Sequence, residues 1–196
     1  MYYPEESYNG VLLFLREPHV SEKDKNLPEE QITAISDRWV DKILHGTLAK
    51  EDLKDEKNPG AIKATAARYR NRIGEFLRYI EKSERVLPDI AYENLYKKGG
   101  GANQSKEYKE ALKNYAQSDF EDLLEKLDYR TRYIFTCRDI YAKLKGLLNI
   151  TEEYTGLQYQ NRKPFHCFTF TDSKSNAVKV YEIFHPCCRV RLKEEA

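Results

Sequence analysis

Five consecutive apolar residues, Val11-Leu12-Leu13-Phe14-Leu15, interrupt a chain whose polar and apolar positions are otherwise finely mixed. A run without polar alternation predicts a strand buried on both faces, as a parallel sheet with helices on either side requires. Apolar residues then recur at spacings of three and four. Ile32, Ile35, Trp39 and Ile43, with Pro28 at the first helical position and Gly46 as a stop, predict one helix. Asn58-Pro59 opens a longer one carrying Ile62, Ala66, Tyr69, Ile73, Phe76, Leu77 and Ile80. A second strand is predicted over 88–96 and helices over 105–116 and 118–126, the latter opened by a capping box Ser118-x-x-Glu121. A third strand over 133–137 leads into a helix over 138–148, with Ile140, Leu144 and Leu147 on one side. Strand followed by helix, repeated, argues for a parallel sheet with covering helices. Near the end, runs over 165–170 and 177–184 flank a polar stretch and predict a hairpin.

Composition narrows this picture. A chain of 196 residues is read as one domain spanning 1–196, long enough to bury a sizeable core. Mean hydropathy is low at -0.78, but 15 Tyr and 8 Phe supply burial area that hydropathy scales undercount. A net charge of +1 gives no global electrostatic case for nucleic acid, so any such binding must use a local patch. Lys63, Arg68, Arg70, Arg72 and Arg78 on the second helix form one basic flank, which Glu75 and Glu81 interrupt as an ordinary solvated face would be. No apolar run approaches the ~18 residues that span a bilayer, and no secretory layout precedes the first strand. A cytoplasmic monomer with no membrane association is therefore expected. Cys137, Cys167, Cys187 and Cys188 are sparse, and the vicinal pair is an awkward disulfide, so reduced thiols are expected.

Chemistry is to be sought where strands end, because ligands of open α/β sheets bind at the carboxyl edge. The first strand runs into Arg16-Glu17-Pro18-His19, and the last into His185-Pro186-Cys187-Cys188-Arg189. Each is a short polar corner that a proline keeps from continuing as ladder or helix. The second strand ends near Asn94 and is followed by Lys97-Lys98-Gly99-Gly100-Gly101, where glycines permit a sharp turn or close approach to a ligand. A zinc site from His166, Cys167, His185, Cys187 and Cys188 is disfavoured, since His166 and Cys167 are adjacent on a strand and no C-x-x-C spacing exists. Nothing local activates Cys137 or Cys187 as a nucleophile. No metal and no cofactor are expected.

In this order, the apolar strand with acid-Pro, the strand ending in Asn, the short strand plus helix, and the strand with His-Pro resemble the uracil-DNA glycosylase superfamily. The resemblance implies a three-layer α/β/α domain with a short, mainly parallel central sheet of the uracil-DNA glycosylase type. It implies a DNA-binding hydrolase of DNA repair that works by base flipping, excising or recognising a modified base as a monofunctional glycosylase. Glycosidic cleavage builds positive charge on the sugar and negative charge on the base, so it implies catalytic roles for Glu17 near the sugar and His185 at the base carbonyl. Arg16, Pro18, His19 and Asn94 would form the substrate pocket, and Arg189 would enter the space of the flipped nucleotide. Lys97, Lys98, Gly99, Gly100 and Arg138 would contact the backbone. Here the first motif lacks the family's glycine and carries Glu for Asp or Asn, and Cys187 replaces a serine. Those departures and the near-neutral charge favour a second reading, a catalytically inactive module that binds a partner protein or a nucleotide-like ligand. Hydrolysis of a free nucleoside or nucleotide is a third. Without the family, Glu17 pairs with Arg16 or caps a helix, His185 and Asn94 satisfy their own corners, and Arg189 is a surface side chain.

Overall fold

The computed structural model describes residues 1–16, 24, 26–49, 51–53, 59–81, 89–97, 105–151, 153–159, 164–183 and 192–194. Glu17, Pro18, His19, Lys98, Gly99, Gly100, His185 and Arg189 lie outside these residues. The elements in chain order are β1 (Val11–Leu15), α1 (Glu29–His45), a 3-10 turn (Glu51–Leu53), α2 (Pro59–Glu81), β2 (Ala91–Asn94), α3 (Lys106–Asn114) and α4 (Gln117–Lys126). They continue as β3 (Tyr133–Cys137), α5 (Arg138–Leu148), β4 (Glu153–Tyr159), β5 (Pro164–Thr171), β6 (Ala177–Ile183) and β7 (Leu192–Glu194).

One seven-stranded sheet has the order β2-β1-β3-β6-β5-β4-β7. Strands β2, β1, β3 and β6 are mutually parallel, and β5, β4 and β7 extend the sheet with antiparallel pairings. The parallel expectation therefore describes half of a mixed sheet. The hairpin expectation holds, with Cys167 opposite Tyr181 and Thr171 opposite Ala177. At the outer side of β2, Tyr2 forms an antiparallel bridge to Tyr92 through two backbone hydrogen bonds of 2.9 Å.

Both faces of β1 are buried, as its unbroken apolar run requires. Val11, Leu13 and Leu15 join Tyr92, Phe135, Tyr181 and Ile183 under Val40 and Leu44 of α1 and Tyr69, Ile73, Phe76 and Leu77 of α2. Leu12 and Phe14 join Ile134, Val178 and Val180 under Phe120, Leu123 and Leu124 of α4 and Ile140, Tyr141 and Leu144 of α5. Helices thus cover the two faces of the sheet, a three-layer α/β/α arrangement. Each β1 side chain so enclosed contributes about 1.5–3 kcal/mol through lost apolar exposure.

Local differences from the sequence pattern have physical causes. Helix α1 buries Ile32, Val40 and Leu44, while Ile35, Trp39 and Ile43 are only partly covered, so the inward stripe lies along the row of Ile32, Val40 and Leu44 rather than the adjacent row of Ile35, Trp39 and Ile43. Pro28 precedes the first helical residue instead of occupying it. Gly46 ends the helix in the left-handed region at φ 71°, with the Arg70 guanidinium filling the space a Cβ would need. Helix α4 starts at Gln117, which places Ser118 inside the helix. Asp119 takes over the predicted capping role, its carboxylate accepting from the Ala116 N–H at 2.7 Å. Arg72, assigned to the solvated flank of α2, is buried and paired with Glu75.

Candidate functional site

Three parallel strands deliver their carboxyl ends to one rim: β1 at Leu15, β3 at Cys137 and β6 at Ile183, with β2 beside β1. The connection leaving β1 carries α1 and α2 on one face, and the one leaving β3 carries α5 on the other. The gap between the ends of β1 and β3 is therefore the topological switch point, where open α/β sheets form their ligand crevice.

An ion pair spans that gap. Arg16, the residue after β1, donates through Nε to both carboxylate oxygens of Asp139 at 2.9 Å each. Asp139 stands in the first turn of α5, where a negative charge complements the helix dipole. The Tyr108 hydroxyl on α3 donates to Asp139 Oδ2 at 2.8 Å from a fully buried ring. Burial, then the Asp139 charge, pushes the Tyr108 phenol far above its ordinary pKa, so it stays a donor. Burial opposes the Arg16 charge, but Cys137 and Asp139 outweigh it and raise the guanidinium's pKa further. The Arg16 backbone is fixed too, since its carbonyl accepts from the Tyr96 N–H at 2.9 Å and continues the β1–β2 ladder.

Asn94 and Lys97 occupy a different corner of the rim. Asn94 is the register partner of Leu15, but its amide oxygen accepts from the Tyr92 hydroxyl at 3.0 Å on the α1 and α2 side. Arg16 turns instead to α3 and α5, so these two side chains do not converge. Lys97 pairs with the nearly buried carboxylate of Glu93, which also accepts from the Asn94 N–H at 3.0 Å. Burial pushes the Lys97 pKa down to about 8, partly offset by the charge of Asp37. The cleft that Asn94 and Lys97 share with Thr33, Ser36 and Asp37 holds about 10 Å³, room for one water. Arg138, the first residue of α5, is exposed beside Asp139.

Sequence reasoning named Arg16 but missed Asp139 and Tyr108. The available signal was an acid in the first turn of a helix directly after a strand. A roomier cleft of about 560 Å³ opens at the opposite rim, lined by Gln117, Ser118, Glu121, Leu148, Phe170 and Asp172. The carboxylate of Asp172 is engaged by its own turn, while Glu121 Oε1 is buried with no hydrogen-bond partner among the described residues. Among the described residues no group of His, Cys, Asp and Glu is placed to hold a metal ion, and no helix is long and apolar enough to cross a membrane. His166 is partly exposed and Cys167 buried on β5, as alternation along a strand requires. No protein-family model matches the chain, and neither the curated proteins nor the solved structures include one similar to it at a significant level.

Proposed function

We propose that the carboxyl rim of the parallel strands is a nucleic-acid site at which a flipped base is recognised and its N-glycosidic bond hydrolysed. One observation carries the reading: β1 and β6 run parallel in one sheet with only β3 between them. Glu17 follows the last residue of β1 by two positions, and His185 follows the last of β6 by two. Two ladder steps separate those strand ends by roughly 9.5 Å, so the two residues leave from neighbouring points of one rim. Glu17 stabilises the sugar cation or orients water, and His185 donates to the base oxygen as the bond breaks. The NH2 group of Asn94 is left for the base edge, its oxygen being held by Tyr92, and reading a base there requires the adjoining cleft to widen.

A second reading has its own support. Arg16 and Lys97 are each paired with a carboxylate and the net charge is only +1, which suits a catalytically inactive module binding a protein or nucleotide-like partner. Excision assays on oligonucleotides carrying uracil, hypoxanthine, xanthine or a mismatch separate the two. Cleavage lost in Glu17→Gln and His185→Ala with binding retained is the expected result for the enzyme. Equal cleavage by all three proteins, or none by the wild type on any substrate, defeats the catalytic assignment.

A further inference from the structure

We infer that Arg16, held by Asp139 and Tyr108 at the switch point, is the receptor for a phosphate ester, with Nη1 and Nη2 as its donors. The inference rests on the nucleic-acid reading and deepens it, moving Arg16 from the base to the backbone of the ligand. A guanidinium carries five donors in a planar fork, and Asp139 engages only Nε. Among the described residues neither terminal nitrogen has a partner. The Arg16 side chain is 36% exposed and that of Asp139 22%, so the guanidinium is the more open member of the pair. The support is fixed at every link: Tyr108 buried, its hydroxyl on Asp139, Asp139 in the first turn of α5, and the Arg16 carbonyl in the ladder. An arginine oriented in this way loses little freedom when it binds an anion, and a bidentate phosphate contact uses the two nitrogens that are left. The amino end of α5 adds partial positive charge beside Arg16 and the exposed Arg138. Phosphate esters come either from a polynucleotide backbone or from a free nucleotide, and the crevice position serves both.

Two probes distinguish the sources. A fluorescent single-stranded oligonucleotide is titrated into the Glu17→Gln protein over a range of salt, and uridine 5′-monophosphate is titrated with NMR detection of the Arg16 side chain. Adding Arg16→Gln should weaken oligonucleotide binding by about tenfold or more and reduce the salt slope by about 0.7, the share of one phosphate on a single strand. Arg16→Lys should keep the slope and lose affinity, because the charge stays and the fork is gone. Tyr108→Phe should weaken binding by roughly threefold with the slope unchanged, which marks Tyr108 as a positioning residue. Thermal midpoints confirm that each variant is folded. Binding of the mononucleotide through Arg16 without oligonucleotide binding would uphold the receptor and defeat the nucleic-acid reading. Unchanged affinity and slope in Arg16→Gln, or no response to either probe in its Arg16-containing parent, overturns the inference. Excision by an Arg16→Gln protein that binds like wild type would do so while leaving the enzyme reading standing.

Discussion

Lys97 sits where burial and charge pull in opposite directions. Desolvation lowers its pKa to about 8, while Asp37 and the paired Glu93 favour the ammonium. A midpoint near pH 8 in a side-chain NMR titration is expected, and one close to the ordinary lysine value would show that the pairing prevails. The sign for stability follows from the depressed value. An unfolded lysine keeps its proton until about pH 10.4, so above about pH 8 the unfolded chain binds more protons and stability rises with pH. Below that window the fold carries the whole desolvation cost. Urea midpoints of wild type should therefore rise relative to Lys97→Met between about pH 7.5 and about pH 9.5. The lysine could be named from its place after a strand, but its partner could not. Glu93 lies inside the strand predicted over 88–96, where nothing singled it out, and its carboxylate turns back onto the N–H of the next residue, Asn94.

At the scale of elements, the β5–β6 hairpin is the clearest case of a turn built by one side chain. The carboxylate of Asp172 accepts from the Lys174 N–H at 2.9 Å, the Asn176 N–H at 2.8 Å and the Asn176 amide at 3.0 Å, and the residue is buried. Ser175 adopts φ 65° within the turn. Asp172→Ala removes three bonds to one carboxylate and should destabilise by about 1–3 kcal/mol; an unchanged urea midpoint would show that the turn is held by other contacts. This hairpin was legible because two apolar alternations flank a polar stretch. An unbroken apolar run located β1, a short β-rich run located β3, and one apolar side located α5. Sequence reasoning did not find β4, where Gly156 breaks the alternation, or β7, which has three residues. It rotated α1 because both of that helix's ridges carry large apolar side chains and only packing chooses between them.

For the whole molecule, the two halves of the sheet differ in how they are enclosed. Strands β1 and β3 are central, parallel to both neighbours and covered on both faces, while β4 and β7 extend the antiparallel side. Amide hydrogen exchange should be slowest in β1 and β3, reporting global unfolding, with β7 opening first. Slowest exchange in β4 would place the stable centre elsewhere. The layered architecture was readable from the alternation of strands with helices. The mixed pairing was not, because nothing in a strand's own residues states the direction of its neighbour. At the candidate site the polar strand ends were legible, but the Arg16–Asp139 bridge joins residues 123 apart and depends on strand order.

The Tyr2 bridge has a consequence for self-association. By occupying backbone groups of Tyr92, it caps the outer ladder of β2 and denies another polypeptide a template for strand addition on that flank. Among the described strands, growth of the sheet into a fibre is left to the β7 flank, where a strand of three residues offers only a short template.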